Sequence, residues 1–420
     1  MAGNRIYYGW RMLPIFWFAY LAAAALPMYG GGVVNARMAE DLALSKATLG
    51  LGYTFYLTVG GLTAPLVGAM IHGAGLRRTI VSGAVLLTAA GVMMATVVDS
   101  ATTYLVTFGL VAGLGSAMCG YIPSLTGATV WFERRRSLAI AIVITGAGVG
   151  GFVAPPILEA IIGGEGGRWQ DGWGAMTACF LAAGSLALLI RNRPEDVGTV
   201  RDGAPGVAGA AGTRAAGVYR CSASLTLREA TRTRAFWLIG ASAMLAAAPL
   251  TGLIAHVVPH VRHIGFSAAD AAGAMGALSL GSLAGRIGCG LIADRIEPRW
   301  LWVASMAIIS AGIVALSDAA GPAALYLAAI LVGLGAGALM VCQSAMIGNY
   351  FGADAFARVM GVVVPLTTLM SATSPLVTGW SFDRNGDYGI ALAALTALSV
   401  ASAALIATAA PPAFAERTQR

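Results

Sequence analysis

The stretch Gly68-Ala-Met-Ile-His72-Gly-Ala-Gly-Leu-Arg77-Arg78 returns 222 residues later as Gly290-Leu-Ile-Ala-Asp294-Arg295-Ile-Glu-Pro-Arg299. At this shift Gly68 pairs with Gly290, His72 with Asp294 and Arg77 with Arg299. Each stretch follows a long apolar run and carries charges, which is typical of a short connection between two hydrophobic helices. The sequence therefore indicates that its two halves carry the same arrangement of helices.

Two further matches support this repeat. The shift of 222 residues pairs Pro27 with Pro249, each after an Ala-rich run, and a Gly-Leu-Gly at 113–115 matches another at 333–335. Two similar halves of six spans are typical of transporters that bind their substrate near the middle of the membrane, between the halves.

The composition assigns the chain to the membrane. Of its 420 residues 58% are hydrophobic and 11% are charged, and the mean hydropathy is +0.77. A soluble domain carries about 25% charged residues, so we exclude a soluble enzyme, a nucleic-acid-binding protein and a secreted scaffold. The five cysteines form no CxxC pair. We interpret them as small buried hydrophobic residues and predict no disulfide, metal site or cofactor.

Twelve apolar runs predict twelve transmembrane helices, because one span needs roughly 20 apolar residues. We expect an all-α membrane protein with a six-helix bundle at 1–190, a flexible cytoplasmic linker at 191–235 and a second, pseudo-symmetric six-helix bundle at 236–420. The runs lie at about 12–34, 48–72, 79–98, 103–130, 137–162, 172–190, 236–260, 268–293, 298–316, 322–349, 358–380 and 389–410.

The basic residues predict the orientation. With the N-terminus in the cytoplasm, 20 of the 26 basic residues fall on the cytoplasmic side, five on the opposite side, and Arg286 alone remains within a span. This distribution follows the positive-inside rule and places both termini in the cytoplasm. The net charge of +7 therefore reflects topology and indicates no acidic partner.

The two charged connections resemble the signature cytoplasmic loop of the major facilitator superfamily. Asp294 keeps the family's acidic residue, whereas His72 replaces it in the first copy. Within the superfamily the chain resembles the monocarboxylate transporters and their bacterial relatives, which include the oxalate:formate antiporter. The motifs that carry this resemblance are Tyr8-Gly9-Trp10, Tyr121-Ile-Pro123, Trp131-Phe132-Glu-Arg134-Arg135-Arg136-Ser-Leu-Ala139, His256-Val-Val-Pro259 and Arg286 eight residues before Asp294.

Arg286 is the first candidate for substrate binding. At 1.5 Å of rise per residue it lies roughly 12 Å from the end of the eighth span, too deep to reach the interface easily. A charge at that depth needs a wet cavity or a counter-ion, and a guanidinium binds a carboxylate bidentately. The resemblance also assigns the matching arginine to the substrate carboxylate. A structural arginine paired with backbone carbonyls or with an acid on another helix is the alternative.

The missing cations narrow the predicted substrate. The oxalate carrier that the chain resembles pairs its arginine with a lysine in the eleventh span, whereas residues 361–374 here contain Thr367 and Thr368 but no cation. One buried cation suits one carboxylate, so we favour a monocarboxylate over a dicarboxylate.

His256 in the seventh span is the candidate for substrate binding and for proton coupling, because histidine titrates near neutral pH. An interfacial histidine is the alternative, since His260 and His263 follow in the loop. In the animal carriers that the chain resembles, coupling involves an acid four residues before the arginine and a lysine in the first span. In this chain, Ser282 stands four residues before Arg286, and residues 12–36, which include the first span, contain no basic residue. The coupling mechanism of the animal carriers therefore cannot be transferred to this chain.

Other candidates are weaker. Tyr121 can offer a hydroxyl to a carboxylate or can simply pack in the bundle, and Gln343 in the tenth span is a further polar candidate. Glu159 is the one acid within an apolar run, close to the end of its span, which favours an interfacial role. Arg134 and the loop residues His72, Arg77, Asp294 and Arg299 are predicted to gate or anchor the cytoplasmic side.

These observations predict a secondary carrier of a small monocarboxylate such as lactate or pyruvate, by alternating access with proton symport. The alternatives are exchange of dicarboxylates of the oxalate type, proton-driven efflux of hydrophobic compounds, which would have to use Glu159, and a non-transporting sensor or membrane enzyme. We expect no enzyme activity, because no nucleophile, metal cluster or carboxylate pair lies at membrane depth. The ratio of 25 Arg to one Lys suggests a bacterial inner membrane. The predicted partners are protons, a small organic anion with one carboxylate and lipid. The sequence leaves both a monomer and an oligomer open.

Overall fold

A computed structural model describes residues 7–163, 167–203, 217–221 and 224–412. Each of the twelve predicted runs corresponds to a long helix in this part of the chain. The helices are α1 (Gly9–Asp41), α2 (Lys46–Leu62 with Ala64–Ala74), α3 (Leu76–Thr96), α4 (Ala101–Trp131), α5 (Arg136–Ile162), α6 (Trp169–Ala187), α7 (Arg234–His263), α8 (Ala268–Ile292), α9 (Pro298–Ser317), α10 (Pro322–Phe351), α11 (Ala353–Asn385) and α12 (Gly389–Ala407).

The helices are long and apolar enough for a membrane. Within the described residues, ten pass this criterion individually and the bent α2 adds an eleventh. The remaining helix, α6, is 19 residues long and carries Asp171 in its first turn. The chain is therefore a multi-pass membrane protein. The predicted cytoplasmic termini, at 1–6 and 413–420, and the parts of the predicted linker at 204–216 and 222–223 lie outside the described residues.

Three helices depart from regular α geometry at prolines. Around Pro27, α1 widens into a π-helical stretch at Leu21–Gly30. α2 bends by 46° just before Pro65, and α4 is interrupted at Gly120, three residues before Pro123. Proline lacks the N–H that a regular turn requires, so each break leaves backbone groups without their usual helical partners.

The chain groups into two compact units. The first comprises Met1–Arg134 and Ile142–Ala208, and the second comprises Arg135–Ala141 and Gly209–Arg420. The second unit thus includes the first turn of α5. The domain limits predicted at 190 and 236 stay a prediction.

Glycines on α4 fix the close packing of helices in the first unit. A Cβ atom at Gly113 would lie 3.0 Å from the carbonyl oxygen of Tyr56 on α2. A Cβ atom at Gly115 would lie 3.0 Å from the carbonyl oxygen of Gly83 on α3. Because glycine has no Cβ atom, α2 and α3 can approach α4 this closely at these positions.

The second unit repeats this packing. A Cβ atom at Gly333 on α10 would overlap the carbonyl oxygen of Leu278 on α8, and one at Gly335 would lie 2.6 Å from the carbonyl oxygen of Ser305 on α9. Leu278 and Ser305 stand 222 residues after Tyr56 and Gly83. The predicted internal repeat therefore extends to the helix contacts inside each unit.

Candidate functional site

Arg286 lies where α8 crosses α10. Gly285 faces the carbonyl oxygen of Leu334, and Gly337 faces that of Ser282, so closely that a Cβ atom at either glycine would overlap the oxygen. The two helix backbones are therefore nearly in contact beside Arg286. This close contact fixes the position of the Arg286 Cα atom, because α8 cannot shift here without moving α10.

The half-buried Arg286 side chain extends toward α10. Its Nη2 atom lies 3.9 Å from the Met340 sulfur. A thioether is a weak acceptor, so this contact orients the guanidinium without neutralising its charge. The half-buried Gln343 lies three residues after Met340, on the same face of α10. The structure therefore brings Arg286 to the segment of α10 that carries Gln343.

His256 on α7 has a partner at each ring nitrogen. Nε2 lies 2.9 Å from the carbonyl oxygen of Pro375 on α11, and Nδ1 lies 3.3 Å from the hydroxyl of Tyr388, which precedes α12. A carbonyl oxygen only accepts, so Nε2 carries a hydrogen. In neutral His256, Nδ1 then accepts from the Tyr388 hydroxyl; in the protonated form, Nδ1 donates to it. Both protonation states are satisfied with the same heavy-atom positions.

Tyr121 opens the second half of α4, directly after the interruption at Gly120. Its ring centroid lies 5.9 Å from that of Tyr20 on α1, and the side chain is half-buried. Tyr121 belongs to the first unit, whereas Arg286, His256 and Gln343 belong to the second. The break in α4 sets the direction of the tyrosine.

Asp294 holds the start of α5. Its Oδ1 accepts from the backbone N–H of Ser137 at 2.9 Å, its Oδ2 accepts from that of Leu138 at 3.3 Å, and Arg220 Nη2 lies 4.0 Å from Oδ1. Burial raises the pKa of the Asp294 carboxyl, and the two N–H donors and Arg220 act in the opposite direction. A carboxylate here binds the exposed N–H groups and the positive end of the helix dipole.

The matching loop in the first unit uses a different residue. His72 is exposed, and the N–H of Arg77 donates to Asn192 Oδ1 at 2.9 Å. Gly75 has φ +86° and packs against the Asn192 amide, with 2.9 Å from its Cβ position to Nδ2. A neutral amide from the segment after α6 thus caps the start of α3.

The remaining loop arginines make backbone or amide contacts. The backbone N–H of Arg134 donates to Asp202 Oδ2, and Arg299 Nη1 donates to the carbonyl oxygen of Ala409 at 3.2 Å. Arg136 is 3% exposed, and its Nη1 donates to Asn349 Oδ1 at 2.7 Å. The predicted anchoring residue Arg134 therefore contacts the linker through its main chain, and Arg136 makes the buried side-chain contact.

Two of the quoted motifs pack on each other. The Tyr7 hydroxyl donates to the carbonyl oxygen of Trp131 at 2.6 Å. The Tyr8 and Trp131 ring centroids lie 5.5 Å apart, and those of Trp10 and Phe132 lie 4.9 Å apart. The aromatic residues before α1 therefore hold the end of α4, which explains why both sets of aromatics occur in one chain.

Residues 12–375 match the family model described as Major Facilitator Superfamily. The chain belongs to this superfamily. It is 26% identical to human monocarboxylate transporter 11 in a match that covers 84% of this chain and 71% of that protein. It is 31% identical to an MFS-type transporter of Gibberella moniliformis, in a match that covers 33% of this chain and 34% of that protein.

The fold is also that of solved members of the superfamily. The Escherichia coli fucose:proton symporter FucP superposes with a TM-score of 0.72 at 14% identity, over 96% of this chain and 98% of that one. The predicted all-α fold of twelve helices in two pseudo-symmetric bundles, and the resemblance to the superfamily, are confirmed. The superfamily is one of membrane transporters and not of enzymes.

Several contacts of this superfamily member could not be found from sequence patterns. Asn192, Asp202 and Arg220 lie in loop or linker segments and contact residues that are 68 to 115 positions away in the sequence. No sequence pattern distinguishes these three residues from the other polar residues of their segments. Within the described residues, no group of three or more His, Cys, Asp or Glu side chains could hold a metal ion.

Proposed function

We propose that this chain is a secondary carrier of small monocarboxylates, such as lactate or pyruvate, that moves the anion together with a proton by alternating access. The observation that carries the proposal is the position of Arg286, a half-buried guanidinium within the membrane-spanning helix α8, at its close crossing with α10. The similarity to proteins named monocarboxylate transporters supports the same substrate class.

The charge available suits one carboxylate. A dicarboxylate needs a second cation near the first, and residues 361–374 of α11 contain none. Gln343 and Tyr121 can supply neutral donors to a carboxylate or to the hydroxyl of a hydroxy-acid. We therefore assign Arg286 to the carboxylate and these two residues to specificity.

The histidine contacts support proton coupling. His256 keeps both ring nitrogens hydrogen-bonded whether it carries one hydrogen or two, since the Tyr388 hydroxyl can donate or accept. A proton entering with the anion makes each cycle neutral and removes about 2.3 kcal/mol of work per charge per 100 mV. Efflux driven by an embedded acid is less well supported, because Glu159 lies 3.5 Å from Arg37 and both side chains are about half exposed.

Uptake of labelled acids into proteoliposomes under an imposed pH gradient tests the substrate assignment. We expect acid-driven uptake of lactate or pyruvate by the wild-type protein. Arg286→Ala should reduce it about 10- to 100-fold, because a hydrogen bond to a charged group contributes about 1.5–3 kcal/mol. Arg286→Lys keeps the positive charge but cannot bind a carboxylate bidentately, so its uptake rate should lie between those of the wild type and Arg286→Ala.

Arg262→Ala provides the matched control, because this arginine is exposed near the end of α7. It should transport like the wild type. Gradient-independent exchange of dicarboxylates, or unchanged uptake by Arg286→Ala, would show that the proposed substrate class is wrong.

A further inference from the structure

Two cysteines lie near each other next to the α8–α10 crossing. Cys289 on α8 is 4% exposed and Cys342 on α10 is 0% exposed, and both are free thiols. Neither belongs to the residues proposed above to bind substrate or protons. The position of this pair is set by the glycine packing of the two helices.

The register of the two helices places the thiols opposite each other. Leu278 faces Gly333 and Ser282 faces Gly337, a constant offset of 55 residues, which means that α8 and α10 run in the same direction here. One turn further on, Arg286 reaches Met340, at an offset of 54. A Cβ atom at Gly285 would lie 3.0 Å from the backbone nitrogen of Ala338, an offset of 53. Cys289 and Cys342 stand one turn further along each helix at this same offset of 53.

Both thiols are buried inside the second unit. The Cys289 thiol of α8 and the Ser305 hydroxyl of α9 are among the polar groups beside the Cys342 thiol. The Cys342 sulfur lies 3.3 Å from the carbonyl oxygen of Leu339, to which its S–H donates. Two facing sulfurs between rigidly packed helices form a pre-organised soft donor pair.

We propose that Cys289 and Cys342 form a two-thiol binding site for a thiophilic d10 metal ion, of the class of Hg(II), Cu(I) and Ag(I). Such ions bind two sulfurs in a linear arrangement, so the site needs no third protein ligand. On binding Hg(II), both S–H bonds break, two Hg–S bonds form, two protons leave to solvent, and no electron is transferred.

Native mass spectrometry of the detergent-solubilised protein, exposed to HgCl2 and then washed with glutathione, tests the site. A bridged ion has no position left for glutathione, whereas an ion on a single thiol is either removed or retained as a mixed adduct that also contains glutathione. We expect one mercury per chain, with the mass of the ion less two protons and with no glutathione attached.

Variants identify the thiols. Replacement of the other three cysteines in Cys119→Ala, Cys179→Ala, Cys221→Ala should retain the bridged ion. Further substitution of either partner, Cys289→Ala or Cys342→Ala, should abolish it and leave only glutathione adducts. If the wild-type protein shows only glutathione adducts, or if a single-thiol variant retains the bridged ion, the site is wrong. The wild-type result decides this even where a variant fails to fold.

Discussion

At the scale of single residues, chemistry depends on which partner each polar atom has. His256 has a carbonyl oxygen at Nε2 and a hydroxyl at Nδ1. The first partner fixes the tautomer, and the second accommodates either protonation state. The Tyr388 hydroxyl supports the proposed proton coupling because, unlike a carbonyl oxygen, it can donate as well as accept.

His256→Gln should separate proton coupling from substrate movement. A glutamine amide is polar but cannot take up a proton, so we expect accumulation driven by a pH gradient to be lost while exchange of labelled for unlabelled substrate persists. Both rates are measured in the same proteoliposomes.

His263→Gln is the matched control, because His263 lies on the same helix but is exposed. It should behave as the wild type does. Accumulation by His256→Gln at the wild-type level would assign the proton to another group.

At the scale of helices, packing is controlled by which glycines face a neighbouring backbone. Gly285 and Gly288 lie three residues apart on α8, but a Cβ atom at Gly285 would overlap the Leu334 carbonyl oxygen, whereas one at Gly288 would meet nothing within 4 Å. The same substitution should therefore have opposite consequences at the two positions.

Gly285→Ala should lower the thermal unfolding midpoint of the detergent-solubilised protein. Forcing a methyl group into packed backbone typically costs about 1–3 kcal/mol. Gly288→Ala should leave the midpoint unchanged or raise it, since alanine has the higher helix propensity. Equal unfolding midpoints for the two variants would contradict the close contact between Gly285 and the Leu334 carbonyl oxygen at the α8–α10 crossing.

The sequence predicted the helices better than their contacts. A hydrophobic run of about 20 residues is a local signal, and Arg286 could be singled out because a charge inside such a run is costly. The bend of α2 and the cap that Asn192 gives to α3 depend on residues that carry no periodic pattern. Asn192 lies 115 residues from Arg77 and is one polar residue in a polar segment, so only the folded chain identifies it as the partner.

At the scale of the whole molecule, basic residues predict how the chain crosses the membrane. Arg77 lies in the first turn of α3, and the connections after α4 and α8 carry Arg134 and Arg295, whereas the connection between α9 and α10 carries no basic residue. Arginine-rich connections stay in the cytoplasm during insertion. This distribution supports the orientation that we propose, in which both termini lie on the cytoplasmic side of a bacterial inner membrane.

Alkaline phosphatase fusions test this orientation, because the enzyme is active only outside the cytoplasm. A fusion after Asp318, between α9 and α10, should be active, and a fusion after Arg295, between α8 and α9, should be inactive. A green fluorescent protein at the C-terminus should fluoresce, as it does only in the cytoplasm. The reverse result for all three fusions would show that the chain has the opposite orientation in the membrane.

The matched glycine contacts of the two halves also bear on the history of the molecule. Gly113 and Gly333 face Tyr56 and Leu278, and Gly115 and Gly335 face Gly83 and Ser305, at equivalent places in each half. The partner residues have diverged in chemistry, from tyrosine to leucine and from glycine to serine, while the backbone approach has been retained. Such a pattern is what duplication and fusion of a half-length coding segment leaves behind, with the helix crossing inherited from before the duplication.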